Sequence, residues 1–220
     1  AVSIASDIVP ITGENRVMAQ FGLKQLNESP RTGLKEIIRE SEVSRALSIE
    51  DVVFKIGPRI NAAGRMETGS KAVDLLVSSD TALATGISKE INNFNIERRN
   101  VDRIITTEAM RMIAEDQATV NSKTTVLYNP NWKKGVIGIV ASRLIETYYR
   151  PTVILTESNG FATGSARSVQ GYDLYQAIEA CSDLLESFGG HMYAAGLTLK
   201  KENIRPFMER FEQHVNSTIT

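Results

Sequence analysis

Across residues 81–117, apolar side chains recur at steps of three and four or their multiples: Ile87, Ile91, Phe94, Val101, Ile105 and Met112, with Arg98 filling one seam position. Polar residues and few breakers fill the rest, which predicts one long amphipathic helix. The seam is too short and imperfect for a coiled coil, so the helix is expected to pack on a neighbouring lobe as a strut between two. The pattern changes on either side of it. Before the helix, Val2-Ser3-Ile4 reads as a short extended segment and residues 12–15 as a turn. Residues 16–26 read as a helix with Val17, Phe21 and Leu23 apolar, weakened by Gly22. Residues 33–40 and 72–77 fit two more helices. Residues 54–66, rich in Gly and Pro and broken by Pro58, read as an ordered loop.

Beyond residue 118, strand and helix signals alternate. Residues 124–128 predict a strand, and residues 136–149 a helix stopped by Arg150-Pro151. Residues 152–156 and 161–168 predict two strands joined by a Ser158-Asn159-Gly160 hairpin turn. A helix over 173–186, a strand over 195–199 and a closing helix over 203–214 follow. The predicted class is α/β: a first lobe over 1–80, a long connecting helix over 81–117, and a smaller α/β lobe over 118–220 of independent domain size.

Composition narrows this only a little. The 220 residues are 42% hydrophobic and 23% charged, enough for a proper core in one large domain or two modest ones. A net charge of −1 gives no global pull toward a polyanion, so any such binding must come from local basic placement. The single cysteine, Cys181, sits among Ala177, Ile178, Leu184 and Leu185 and is expected to be a buried helical residue. No disulfide can form within the chain, which suits a reducing compartment and predicts a cytoplasmic protein. The longest apolar run, residues 136–141, is too short to span a bilayer, and no basic-then-apolar leader opens the sequence. A first residue of Ala rather than Met leads to the expectation that the chain belongs to a longer polypeptide.

Two clusters concentrate candidate chemistry. Gly164-Ser165-Ala166-Arg167-Ser168 combines small residues with a guanidinium able to fork onto phosphate and two hydroxyl donors. Gly189-Gly190-His191, followed by Ala194-Ala195-Gly196, is the second such run. Both read as compact turns that bring N–H groups close to a phosphate. The alternatives are a surface Arg beside an ordinary turn and a glycine cap on the preceding helix. Lys133 and Lys134 precede a helix start at Gly135, a plausible anion site, while Gly138 and Ala141 suit tight packing. Trp132 reads either as a stacking platform for a base or as cover for a core. In the first lobe, Asn61 and Arg65 stand four residues apart and would share one face of a helical turn, suiting a phosphate and a sugar or base edge. The other reading pairs the loop arginines with Glu67 or Asp51. Asp7 is a candidate metal ligand at a strand end. A two-metal phosphodiesterase site needs several carboxylates and usually imidazoles at one spot, and this chain has only His191 and His214.

These motifs, in this order, resemble the RecJ-type exonucleases of the DHH phosphoesterase superfamily. Residues 6–11 with Glu14-Asn15-Arg16, and then residues 56–66, are similar to the later part of the family's DHH domain. Residues 132–144 (WKKGVIGIVASRL), the 164–168 segment and Gly189-Gly190-His191 are similar to the DHH-associated domain that follows it. The resemblance covers essentially the whole chain. It implies an incomplete DHH lobe over 1–80, the connecting helix over 81–117, and a DHH-associated lobe with a mixed sheet over 118–220. It implies a metal-dependent 5′-to-3′ exonuclease of single-stranded DNA, using Mn²⁺ or Mg²⁺ in DNA repair and recombination, with the strand held in the cleft between the lobes. By the same resemblance, Asp7 matches the last metal-coordinating aspartate and Arg65 an arginine near the substrate phosphate. Ser165, Arg167 and Ser168 match the segment that holds the strand end, and Gly189, Gly190 and His191 match the signature of the associated domain. Asn61 joins this substrate-binding set through its spacing from Arg65. Two departures stand out: the Asp-His-His signature is absent, and Lys133 stands where the family commonly has His. The 220 residues alone are therefore expected to be inactive as a nuclease, supplying the substrate grip and one metal ligand. The alternatives are a non-catalytic module for single-stranded nucleic acid, and a DHH-family phosphodiesterase for short oligonucleotides or cyclic dinucleotides.

Overall fold

The structure is a computed structural model describing residues 1–7 and 9–219. Ile8, within the 6–11 motif, lies outside the described residues. The chain divides into two compact units, Ala1–Arg99 and Asn100–Thr220.

Among its described residues, the regular elements of the first unit are all helical: α1 (Val2–Ser6), α2 (Gly13–Glu28), α3 (Thr32–Glu40), α4 (Ile49–Asp51), a π-helical turn (Val52–Ile56), α5 (Gly57–Met66), α6 (Ser70–Val77) and the start of α7 (Thr81–Glu115). Two expectations are corrected here. Val2-Ser3-Ile4 belongs to a helix, because an extended segment needs a ladder partner and the described residues of this unit contain no strand. α1 instead buries Ala5 against the π-helical turn and α5. Residues 54–66 are helical rather than looped. Pro58 falls in the first turn of α5, where a missing N–H leaves no bond unmade. Gly57 is needed there, since a Cβ would lie 2.5 Å from Ser6 Oγ. α4 starts from a reciprocal capping box between Ser48 and Asp51. Arg45 and Lys55 close around the same carboxylate at 2.7 and 3.3 Å. The Ser48 backbone N–H foremost, then these cations, hold the Asp51 carboxyl well below the usual carboxylate range.

The second unit comprises the rest of α7, then α8 (Gln117–Asn121), β1 (Thr125–Tyr128), α9 (Lys134–Tyr148), β2 (Thr152–Ser158), β3 (Phe161–Arg167), α10 (Leu174–Glu179), a 3₁₀ turn (Ser182–Leu184), β4 (Leu185–His191), β5 (Ala194–Leu199), a further 3₁₀ turn (Lys201–Asn203) and α11 (Ile204–Thr218). The strands form one mixed sheet in the order β1-β2-β3-β5-β4, with β1 parallel to β2 and every other neighbour antiparallel. One face carries Val153, Leu155, Ala166, Ala195, Leu197 and Leu199 into a core completed by α10 and by Phe207, Phe211 and Val215 of α11. α9 lies on the other face over β2 and β3. Asn159 and Gly160, with φ of 53° and 84°, form the β2–β3 turn that the Ser-Asn-Gly signal predicts.

The helix expected over 173–186 is corrected. α10 ends at Glu179, and residues 185–191 form the edge strand β4. The apolar residues there serve sheet and helix packing alike, so periodicity alone does not separate the two. Pairing with β5 decides: Gly189 lies opposite Gly196 and Gly190 opposite Ala195, so neither glycine caps a helix.

Candidate nucleic-acid interface

Strand register brings together residues that are distant in sequence. Ser165 on β3 is aligned with Gly196 on β5, which is aligned with Gly189 on β4. In the next row on the same face, Arg167 is aligned with Ala194, which is aligned with His191. Directly aligned residues share a face, and the alternation of two keeps both rows on one side. α9 covers the β2–β3 half of that side, while Gly196, Gly189 and His191 are exposed. The result is a shallow floor of Gly and Ala, bordered by Ser165 and Arg167 beside α9 and by His191 at the sheet edge. The clusters read as turns thus lie on strands, and that regular geometry is what juxtaposes them.

Each glycine in these runs has its own reason. A Cβ on Gly164 would lie 2.5 Å from Leu155 Cδ2, so this residue serves the core on the opposite face. At Gly190 it would lie 2.3 Å from the Ala194 carbonyl oxygen, so that residue serves strand pairing. Gly189 has nothing within 4 Å of such an atom, and Gly196 only the Gly164 carbonyl at 3.9 Å. These two keep the floor open. Gly138, in α9, would put a Cβ 2.9 Å from Ser165 Oγ and 3.1 Å from Arg167 Nη2. Its packing role is therefore to let the helix approach the two donors of the site.

Arg167 Nη1 donates to Ser165 Oγ at 3.0 Å and to the Ala166 carbonyl at 2.8 Å, which orients the guanidinium along its own strand. His191 Nδ1 accepts from the Tyr193 backbone N–H at 3.3 Å, so the neutral ring carries its proton on Nε2 as a donor. Ser168 lies just beyond β3. Its hydroxyl donates to the Tyr172 carbonyl at 2.7 Å and its N–H to the Tyr193 carbonyl at 3.0 Å, so it fixes the β4–β5 turn.

Trp132 is 5% exposed, and its Nε1–H donates to Glu108 Oε2 at 2.8 Å. It is a core residue, not a stacking platform. Glu108 Oε1 also accepts from Asn129 Nδ2 at 2.9 Å. One carboxylate from α7 therefore holds both ends of the loop leading to Lys133 and Lys134, both exposed at the start of α9. Asp102, 2% exposed, receives Arg143 of α9 through Nε at 3.0 Å and Nη2 at 2.8 Å, and this pairing raises the Arg143 pKa. Nothing in the spacing of Glu108 or Asp102 marks them as docking residues. Cys181 is fully buried just past α10, and burial pushes its thiol up to about 11, which keeps it unreactive.

In the first unit, Asp7 is an exposed residue at the C-terminal end of α1. Asn61 and Arg65 share one face of α5, Asn61 exposed and Arg65 half-buried in the last turn. Arg59 serves structure: Nε donates to Asn92 Oδ1 at 2.9 Å and Nη1 to the Lys55 carbonyl at 2.7 Å. Asp51 pairs with Arg45 and Lys55, and Glu67 with Lys71. Among the described residues no group of three or more His, Cys, Asp or Glu could hold a metal ion. The donors present among the described residues do not fit a metal pair. Among the described residues, no helix is long and apolar enough to cross a membrane.

Residues 121–217, within the second unit, match the DHHA1 domain family. Over its whole length the chain is also similar to single-stranded-DNA-specific exonucleases named RecJ. It is 39% identical to the single-stranded-DNA-specific exonuclease RecJ of Bacillus subtilis, over 100% of this chain and 28% of that protein. It is 33% identical to the RecJ of Thermus thermophilus, over 97% of this chain and 30% of that one. The crystal structure of RecJ in complex with Mn²⁺ from Thermus thermophilus superimposes with a TM-score of 0.89 at 30% identity, covering 98% of this chain and 32% of that chain. The chain thus spans about a third of the length of these relatives.

Proposed function

We propose that this chain is the part of a single-stranded-DNA-specific 5′-to-3′ exonuclease that grips the strand, and that the β3–β5–β4 face holds its phosphate backbone. Residues 1–80 would be the later part of the DHH domain, 81–117 the connecting helix and 118–220 the associated domain. The observation that carries the reading is the aligned row Arg167–Ala194–His191 beside the open row Ser165–Gly196–Gly189. It sets three donor side chains around a floor of Gly189, Gly196 and Ala194, with no bulky side chain to obstruct a backbone. Arg167 supplies a forked charge-assisted donor, Ser165 a hydroxyl and His191 Nε2–H a third donor. Asn61 and Arg65 would contact phosphate and sugar or base edge from the first unit.

The relatives' structures contain Mn²⁺ or Mg²⁺, and the whole protein is proposed to use the same ions. Asp7 would supply one ligand, with the other ligands coming from outside these 220 residues. The chain alone would therefore bind without cutting. A DNA substrate makes the cytoplasm the working compartment.

The test is binding of a 5′-phosphorylated single-stranded oligonucleotide to the 220-residue chain, with Mn²⁺ present and absent. Arg167→Ala should weaken binding by about 1.5–3 kcal/mol, the scale of a hydrogen bond to a charged group. Unchanged affinity would remove the grip, and metal-dependent release of nucleotides by the chain itself would overturn the division of labour.

A further inference from the structure

The β4–β5 hairpin closes through two residues, Met192 and Tyr193, between the aligned pair His191 and Ala194. Unlike Asn159-Gly160, neither of them has a positive φ, so the turn lacks the backbone twist that suits a two-residue hairpin. It is held instead by bonds from its surroundings. Ser168 N–H donates to the Tyr193 carbonyl and Leu174 N–H to the Met192 carbonyl, each at 3.0 Å, and Tyr193 N–H donates to His191 Nδ1. That fixes the backbone of a residue whose side chain is 50% exposed. The Tyr193 ring meets the His191 ring edge-on, with centroids 6.3 Å apart and planes at 70°.

An exposed aromatic is ordinary by itself. Here it stands next to the donor that borders the open floor, on a backbone already immobilised. Two other aromatic side chains of this unit are comparably exposed: Phe161 at the opposite end of β3, and Tyr149 at the far end of α9 from Gly138. Trp132 is buried and has its N–H bonded, which removes it as a platform.

We infer that Tyr193 is a stacking platform for a nucleobase, packing against the base of the nucleotide whose phosphate lies on the Arg167–His191 row. This rests on the proposed DNA grip and adds a contact to the base rather than to the backbone. A phenol ring in contact with a base π-face accepts any of the four bases, so the platform adds affinity without sequence preference. The hydroxyl is not required.

The experiment scans a 5′-phosphorylated oligonucleotide with a single abasic site moved along the strand, measuring affinity for the 220-residue chain. The wild type should lose about 5- to 100-fold at one position, the scale of one base–aromatic stack, and little at its neighbours. Tyr193→Ala should bind the intact strand correspondingly more weakly and show no dip at that position. Tyr193→Phe should keep both the affinity and the dip. A 2-aminopurine placed at the dip should be quenched by the wild type and by Tyr193→Phe, but not by Tyr193→Ala. If Arg167→Ala weakens binding while Tyr193→Ala keeps the wild-type profile, the platform is overturned and the phosphate grip stands. If neither variant changes binding, the grip itself fails.

Discussion

The two compact units differ in how far each encloses a pair of its phenylalanines. In the second, Phe207 and Phe211 stack with ring centroids 5.5 Å apart and are wholly excluded from solvent. In the first, Phe21 and Phe54 are 67% and 75% exposed, and Val17 and Met18 lie open beside Phe21 on α2. The second unit packs a layered core on one face of its sheet and α9 over half of the other, and so can hold a site to a register. The first has a real core around Ile37, Val52, Leu75 and Ile91, yet two of its candidate residues, Asp7 and Arg65, sit at helix ends. A sheet fixes relative positions across strands through backbone bonds, whereas a residue at the end of a short helix depends on what packs around it.

The largest test of this contrast is in the second unit's core. Phe207→Ala should cost about 3–5 kcal/mol, because it removes a buried ring and leaves a cavity against α10 and the sheet. Trp132, the only tryptophan, lies in the same unit, so its fluorescence can follow denaturant unfolding there. A loss below about 1 kcal/mol would mean that α11 is not an integral layer of the unit.

A smaller effect is expected where α7 meets the rest of the second unit. Glu108→Ala leaves the Trp132 indole N–H and the Asn129 amide without their acceptor, and should cost about 1.5–3 kcal/mol. Trp132 emission should shift to the red as water reaches the ring. Glu108→Gln keeps an acceptor oxygen and should recover part of both. Emission unchanged in Glu108→Ala would show that the loop before α9 is held without the carboxylate.

α7 also shows where sequence reading reaches and where it stops. The step of three and four gives the helix itself, and Ile91 and Ile105 are indeed buried. Phe94, Val101 and Met112 are only half-buried, while Ser88, Asn95 and Asp102 are excluded from solvent. Ser88 and Asn95 are satisfied within the helix, by the Thr85 carbonyl and by Arg98, and Asp102 by Arg143 forty-one residues away. A hydrophobic pattern scores these three as solvent-facing, and a partner on another element leaves no mark in it. The candidate face has the same limit. Its donors are legible as two small-residue clusters, but their meeting depends on β4 and β5 pairing through Gly189–Gly196. A helical reading of 173–186 hides the start of β4. Pro58 misleads in the opposite direction, since a breaker in mid-helix is harmless in the first turn.

The smallest expected effect is the most discriminating for the contrast between units. Phe21→Ser removes a ring that is two-thirds exposed, so the stability of the chain should change by no more than about 0.5 kcal/mol. The same kind of residue is thus predicted to matter several-fold less on α2 than on α11. The strip of Val17, Met18 and Phe21 should still bind a hydrophobic dye such as ANS, and Phe21→Ser should lower that signal. A cost approaching that of Phe207→Ala would mean that α2 buries this ring in solution. The two units would then differ in the location of their polar groups rather than in how completely each encloses its apolar residues.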